Sequence, residues 1–421
     1  MRARFDNPTS TADTISGEHF QFSEVSMIKH FGSLYAGHVD LGDLGLEATA
    51  VNDRRFGNDH LITIFDRCEQ MAKLMDRLGY HSFWGAEHHF QHEGNEVIPN
   101  LLMLFVHLAK MTKQLKFGCG FNINPMWHPL RLAEDYATAD ILTDGRVIFG
   151  VGRGYHSREV DTFGVPSTNS DNEVNREIFE EQVDIIMKAF HEDSFSYQGK
   201  HYQIPPEVPY RGYTLKELTL VPRPKYQPVE TWQPMVSSSQ RAMDFMAKHD
   251  IQGIMGGGAV TGGANDDVIM RWTETVNRHG HNVEPGGRLV IGLPTFIADS
   301  EKEAIEQGRK YLEEDMKMFA PLGFFRALSD SQIEALGDPR RARGAGLPTM
   351  EDIVEQNAWL VGTAEQVTEK IKAIEERYPG LEHMHVGCNR MGAPLEVMLE
   401  QLQRFGEEVM PHFNVEEKPL G

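Results

Sequence analysis

Short apolar runs recur along this chain, and most are followed by a longer segment whose apolar residues fall at helical spacing. The runs at 27–35, 82–87, 115–123, 146–152, 232–238, 251–256, 288–296 and 383–388 read as strands. The first is followed by a Gly/Asp-rich loop to Asn58 and then by "LITIFDRCEQMAKLMDRLGY". There Leu61, Ile64, Phe65, Cys68, Met71, Met75 and Leu78 form one apolar stripe, stopped by Gly79. Helical patterns recur at 99–113, 129–145, 173–190, 241–249, near 265–279, and at 300–317, 364–378 and 395–410. Eight strand–helix units predict an α/β fold, a (β/α)8 TIM barrel, more than a doubly wound sheet. A Pro-rich stretch from Pro205 to Pro234 and the long loop after the first strand read as insertions, the latter on the active-site rim. Residues 1–26 are polar and aperiodic and read as an arm. Residues 27–421 read as the barrel domain.

Composition narrows the function classes. A net charge of −21 argues against nucleic acid or an anionic membrane as a general partner. Cys68, Cys119 and Cys388 are isolated, so neither a disulfide framework nor a zinc ribbon is expected. No 18-residue apolar run and no apolar leader segment occurs, which gives a cytoplasmic protein as the expectation.

In such a barrel the active site lies at the C-terminal ends of the strands. That rule brings four polar clusters to one rim: "AEHHF", "NINPMWHP", "GRGYHSRE" and "SSSQR". Glu87, His88, His89 and His92 contain metal-binding residue types, but their spacing is not H-E-x-x-H, and adjacent residues of an extended segment face opposite ways. Acid/base work by one histidine, with Glu87 fixing its tautomer, is the reading preferred over a metal site; a structural role at the strand end stays open. "GVGRG" (150–154) lacks the third glycine of a dinucleotide fingerprint. It reads as a strand-to-helix turn at which Arg153 offers a cation, or as a plain Gly-rich turn. The serines of "SSSQR" are either helix caps or part of a phosphate cradle.

The stretches "FWGAEHHF", "HPLRLAED", "LTDGRVIFGVGRG" and "LVGTAEQV…VMPHF", in this order, resemble the bacterial luciferase-like flavin-dependent monooxygenases, and most nearly the luciferase alpha-chain type. The likeness runs from about Met27 to Phe413. Its spacing GxGxxxNPxxHPxRxAED followed by GRxxFGxGRG is hard to meet by chance. The resemblance implies a flavoprotein oxidoreductase that binds reduced FMN (FMNH2) supplied by a separate NAD(P)H:flavin reductase. Through a C4a-(hydro)peroxyflavin formed with O2, it would oxygenate a small, apolar organic substrate. The catalytic group it implies is His88, supported by Glu87. The cofactor contacts it implies are Arg153, Gly154, Ser238 and Ser239, with Gly120, Phe121 and Asn122 beneath the ring system. A non-prolyl cis peptide maps to Gly120–Phe121. Departures are Gly152, where the luciferase chain has a reactive cysteine, and Ala242, in place of a phosphate-binding threonine. They put light emission and a long-chain aldehyde substrate in doubt.

Two other activities stay open: an F420-dependent dehydrogenase on the same barrel, and a metal-dependent hydrolase, although no metal is expected. A homodimer is expected from the apolar surface of segments 99–113 and 129–143, and from the way the related family pairs its barrels. The Gly-, Pro- and Arg-rich segment 321–356 is expected to form a mobile cover.

Overall fold

The computed structural model describes residues 26–235, 239–256, 265–325 and 327–413; all of the polar arm but Ser26 lies outside them. All eight apolar runs form strands: β1 (His30–Tyr35), β2 (Ser82–Gly85), β3 (Lys116–Cys119), β4 (Val147–Gly152), β5 (Thr231–Pro234), β6 (Gln252–Gly256), β7 (Leu289–Ile297) and β8 (His383–Gly387). Each pairs in parallel with its neighbours, and β1 pairs with both β2 (Gly32↔Ser82) and β8 (Gly32↔His385), so the sheet closes. Two short strands extend it: Asn122–Ile123 lies beside the end of β4, and Leu360–Gly362 beside the end of the long β7.

The helices are α1 (Thr63–Leu78), α2 (Leu101–Ala109), α3 (Pro129–Leu142), α4 (Asn172–His191), α5 (Gln240–Lys248), α6 (Asp266–Arg278), α7 (Glu301–Phe319), α8 (Ala364–Arg377) and α9 (Leu395–Arg404). Their apolar stripes cover the outward faces of the strands and form the large core. The strands' inward residues form a separate, smaller cluster of Trp84, Ile148, Trp232 and Val290. The Trp84 and Trp232 rings meet edge to face at 6.3 Å. Gly118 makes this possible, because a Cβ there would sit 2.2 Å from the Trp84 ring. These side chains fill the barrel interior beneath the rim.

The loop after β1 is fixed to α7. Arg54 Nη1 donates to Glu314 Oε1 at 2.5 Å, and Lys317 Nζ donates to the carbonyls of Gly45 (3.0 Å) and Thr49 (2.9 Å). The Pro-rich excursion between α4 and β5 carries the hairpin Val208–Tyr210/Tyr213–Leu215. Segment 321–356 holds three short helices, Asp330–Leu336, Pro339–Ala342 and Met350–Glu355, with Leu336, Ala342 and Met350 buried. No helix among the described residues is long and apolar enough to cross a membrane.

Candidate active site

The rim is built mainly by the turns after β2, β3 and β4. Glu87 is buried, and its carboxylate accepts hydrogen bonds from the Ile123 backbone N–H and the Trp127 Nε1–H, both at 2.8 Å. It also faces His89 Nε2 at 3.2 Å. Glu87 thus ties the end of β2 to the turn after β3. In that turn the Gly120–Phe121 peptide is cis. Asn122 donates from Nδ2 to the Gly150 carbonyl at 2.9 Å, and both amide atoms of the buried Asn124 lack a protein partner. Leu34, at the end of β1, is 41% exposed although it borders Gly120, so the barrel mouth is open there.

His88 is buried between two carboxylates. Nδ1 lies 3.2 Å from Glu159 Oε2, and Nε2 lies 3.3 Å from Glu96 Oε1. Glu159 stands in the turn after β4, where Gln91 Nε2 donates to its Oε1 at 2.9 Å. Arg158 joins the same two loops by donating to Glu93 (2.8 Å) and Gln91 (2.7 Å). Burial by itself would lower the His88 pKa, but Glu96, Glu159 and Glu87 outweigh it and raise the value to about 9. The Tyr155 ring stands 6.1 Å from the imidazole and meets the Phe324 ring at 4.9 Å.

The expected role of Glu87 is corrected: it does not set the His88 tautomer, because its oxygens are taken by Ile123, Trp127 and His89, and Glu159 and Glu96 hold the ring instead. These flanking carboxylates favour the His88 cation.

A second corner has the opposite balance. Arg153 donates from Nε to Asn175 Oδ1 (3.0 Å) and from Nη2 to the carbonyl (2.6 Å) and side chain (2.8 Å) of Asn172, which fixes it at the start of α4. Burial, followed by the repulsion of Arg176 and Arg241, lowers its pKa to about 10, against the opposing pull of Glu180 and Glu173. Arg241 is neutralised by Glu173 and Glu180 at 2.8 and 2.7 Å. Ser239 caps α5 by position, yet its hydroxyl makes no capping hydrogen bond. Gly154 adopts φ 77°, and a Cβ there would meet Val160 and Ile123 at 2.5 and 2.6 Å. Ser238 lies outside the described residues. The sequence reading did not single out Glu96, Glu159, His156 or Arg176. "GRGYHSRE" marked the turn carrying two of them, but nothing local marked Glu96 or Arg176.

The model of the family described as luciferase-like monooxygenase matches residues 50–379. The chain belongs to that family. The oxygenase component of a flavin-dependent trigonelline monooxygenase from Acinetobacter baylyi is 24% identical over 83% of this chain and 90% of its own. An alkanal monooxygenase alpha chain from Aliivibrio fischeri is 30% identical over 35% of this chain and 40% of that one. Two further curated relatives at 34% identity are likewise matched over only 37% of their own length. Among solved structures, the oxygenating constituent of 3,6-diketocamphane monooxygenase from Pseudomonas putida, in complex with FMN, superimposes with a TM-score of 0.68. It is 20% identical, over 93% of this chain and 100% of that one. In this member of the family the buried histidine and the cationic corner occupy the rim on which barrels of this type carry their active sites.

Proposed function

We propose that this luciferase-like monooxygenase is an oxygenase component that uses reduced FMN and O2 to insert one oxygen atom into a small apolar molecule. A separate NAD(P)H:flavin reductase supplies the flavin. The observation that carries the reading is the cationic corner beside an open mouth. Arg153 and Arg176, with the Ser239 hydroxyl, which makes no capping hydrogen bond, offer a match for a phosphate monoester. Arg176 is half-buried. The unpartnered Asn124 amide and the exposed Leu34 leave polar and apolar surface for a ring system at the mouth. The relatives support the same reading, since one is named an oxygenase component and another binds FMN.

In this reading Arg153, Arg176 and Ser239 hold the phosphate, while Gly120, Phe121, Asn122 and Gly154 bring backbone close to the cofactor. Bound flavin supplies the activation of O2. His88 would hold a proton on its ring, kept there by Glu159 at Nδ1 and Glu96 at Nε2, and would be placed to supply it as the second oxygen atom of O2 is released as water. Tyr155 and Phe324 exclude water from that proton. Leu34, Tyr155 and Phe324 present the apolar surface that selects substrate.

A panel of small apolar compounds, incubated with FMN, a flavin reductase and NADH, tests this by a mass gain of one oxygen. Titration with FMN and with F420 separates this reading from the deazaflavin dehydrogenase. Tight F420 binding with no FMN binding sinks the FMN reading. We also infer a homodimer built on the α1–α3 side, where Met103 is 74% exposed and Phe65, Ile62 and Leu142 are exposed with it. A light-scattering mass near one chain's 47.7 kDa at micromolar concentration removes that inference.

A further inference from the structure

His156 stands in the turn that carries Glu159, and its ring meets the His88 ring edge to face at 5.1 Å. The oxygenation reading gives it no task. One ligating atom each from His88, His156 and Glu159 lie within 4.8 Å of one another, and all three residues are buried. Two imidazoles and one carboxylate converging on one point is a donor set that suits divalent transition metals.

A second observation points the same way. His156 Nε2 and Glu96 Oε2 are 3.2 Å apart, yet they form no hydrogen bond and neither atom has another hydrogen-bond partner among the described residues, although both side chains are more than nine-tenths buried. Such buried atoms are costly unless something completes them. Glu96 also faces His88 Nε2 at 3.3 Å, so one carboxylate approaches both imidazoles from the side away from Glu159. Metal-bound histidines commonly donate their second N–H to a carboxylate in this way, and Gln91 already orients Glu159 through its other oxygen. The two carboxylates supply the negative charge that a divalent cation requires.

We propose that His88, His156 and Glu159 bind one divalent transition-metal ion, with Glu96 as the carboxylate that orients the imidazoles. Side-chain shifts of less than about 1 Å bring the three donors to the metal–ligand distance of about 2.0–2.2 Å. This set differs from the Glu87, His88, His89 and His92 cluster suggested by the sequence: Glu87 is engaged elsewhere, and His92 faces Glu93 from a side chain 43% exposed.

The test uses the full-length, flavin-free, chelator-treated protein. Zinc is titrated by calorimetry, and cobalt by its visible absorption. One equivalent is expected to bind to the wild type. Affinity is expected to fall more than about 100-fold in His156→Ala and Glu159→Gln, and about 10- to 100-fold in Glu96→Gln. His107→Ala, which alters an exposed His–Glu pair elsewhere, is expected to bind like the wild type. Absence of binding overturns the proposal, and so does binding that His156→Ala and Glu159→Gln leave unchanged. If either variant misfolds, X-ray absorption of the zinc-loaded wild type decides: two imidazoles and a carboxylate support the site, and any other donor set overturns it. Bound zinc would also occupy the His88 ring and stop oxygenation. That clause alone rests on the proposed activity, whereas the binding measurement stands without it.

Discussion

The two corners of the rim differ in which charge is in excess. Around Arg153, the charges of Arg176 and Arg241 repel it and the cap serine makes no capping hydrogen bond, while Glu173 and Glu180 are paired with Arg241. Around His88, the carboxylates of Glu96 and Glu159 flank the imidazole, with the His156 ring beside it. The first corner is short of an anion, and the second is arranged to keep a positive charge. One region therefore suits holding a phosphate, the other holding a proton or a metal ion. Both balances exist inside a chain whose net charge of −21 would predict neither.

The sharpest way to break this comparison is to remove the imidazole. His88→Ala is expected to lower productive oxygenation about 10²- to 10⁴-fold while leaving FMN affinity within a few-fold. Product formed per NADH consumed measures it, and wild-type coupling in this variant would return the histidine to a structural role.

The converse change acts on binding. Arg153→Ala loses a charge-assisted contact worth roughly 1.5–3 kcal/mol, which is about 10- to 150-fold in FMN affinity at fixed salt. The rate per bound flavin is expected to stay near wild type. Equal losses in both quantities would mean that the two corners do not act separately.

Glu87 tests the framework between them. Glu87→Ala leaves the Ile123 N–H and the Trp127 indole N–H without their acceptor, at a cost of about 1–3 kcal/mol in stability by denaturant unfolding. The His88 pKa is expected to remain high, because Glu96 and Glu159 are untouched. A collapse of that pKa in an NMR titration would restore Glu87 as its partner.

The smallest expected effect sharpens the contrast between histidines. Burial holds His38 at about 3, His383 at about 4 and His385 at about 3, with nearby cations or imidazoles adding to it. These folded values lie below the ordinary 6.5. The stabilisation is complete above pH 6.5 and is lost as the pH falls toward 3–4, at up to about 1.4 kcal/mol per pH unit for each group. His385→Gln is expected to reduce the slope of stability against pH between 6.5 and 5 by about that amount. An unchanged slope would show that His385 is protonated in the fold.

Much of the architecture could be read along the chain because its signals are local. Period-two and apolar runs mark the strands, 3.6-residue stripes mark the helices, and Gly79 stops α1 with φ 82°. The parallel, closed order follows once eight such units are counted. The rim could be anticipated too, because barrel geometry sends every strand's C-terminal end to one face. The turns that carry "EHHF" and "GRG" do adjoin at that face, where His88 meets Glu159. Segment 321–356 was less legible. Its Gly, Pro and Arg content suggested a loop, but the capping boxes at Ser329 and Thr349 start short helices that bury Leu336 and Met350.

What the sequence by itself determined is the barrel and the rim on which His88, Arg153 and Ser239 stand, since both depend on periodicity and on strand direction. Only the tertiary structure decided the partners. Glu159 is 71 residues from His88, and Arg176 is 23 residues from Arg153, so no spacing rule links them. The turn after β4 folds back over the turn after β2. That juxtaposition raises the His88 pKa to about 9 and brings His156 to the same place, while the turn after β3 engages Glu87 through Ile123 and Trp127. A carboxylate acts on an imidazole through a few ångströms of low-dielectric space, and that distance is set by how loops pack, not by their order along the chain.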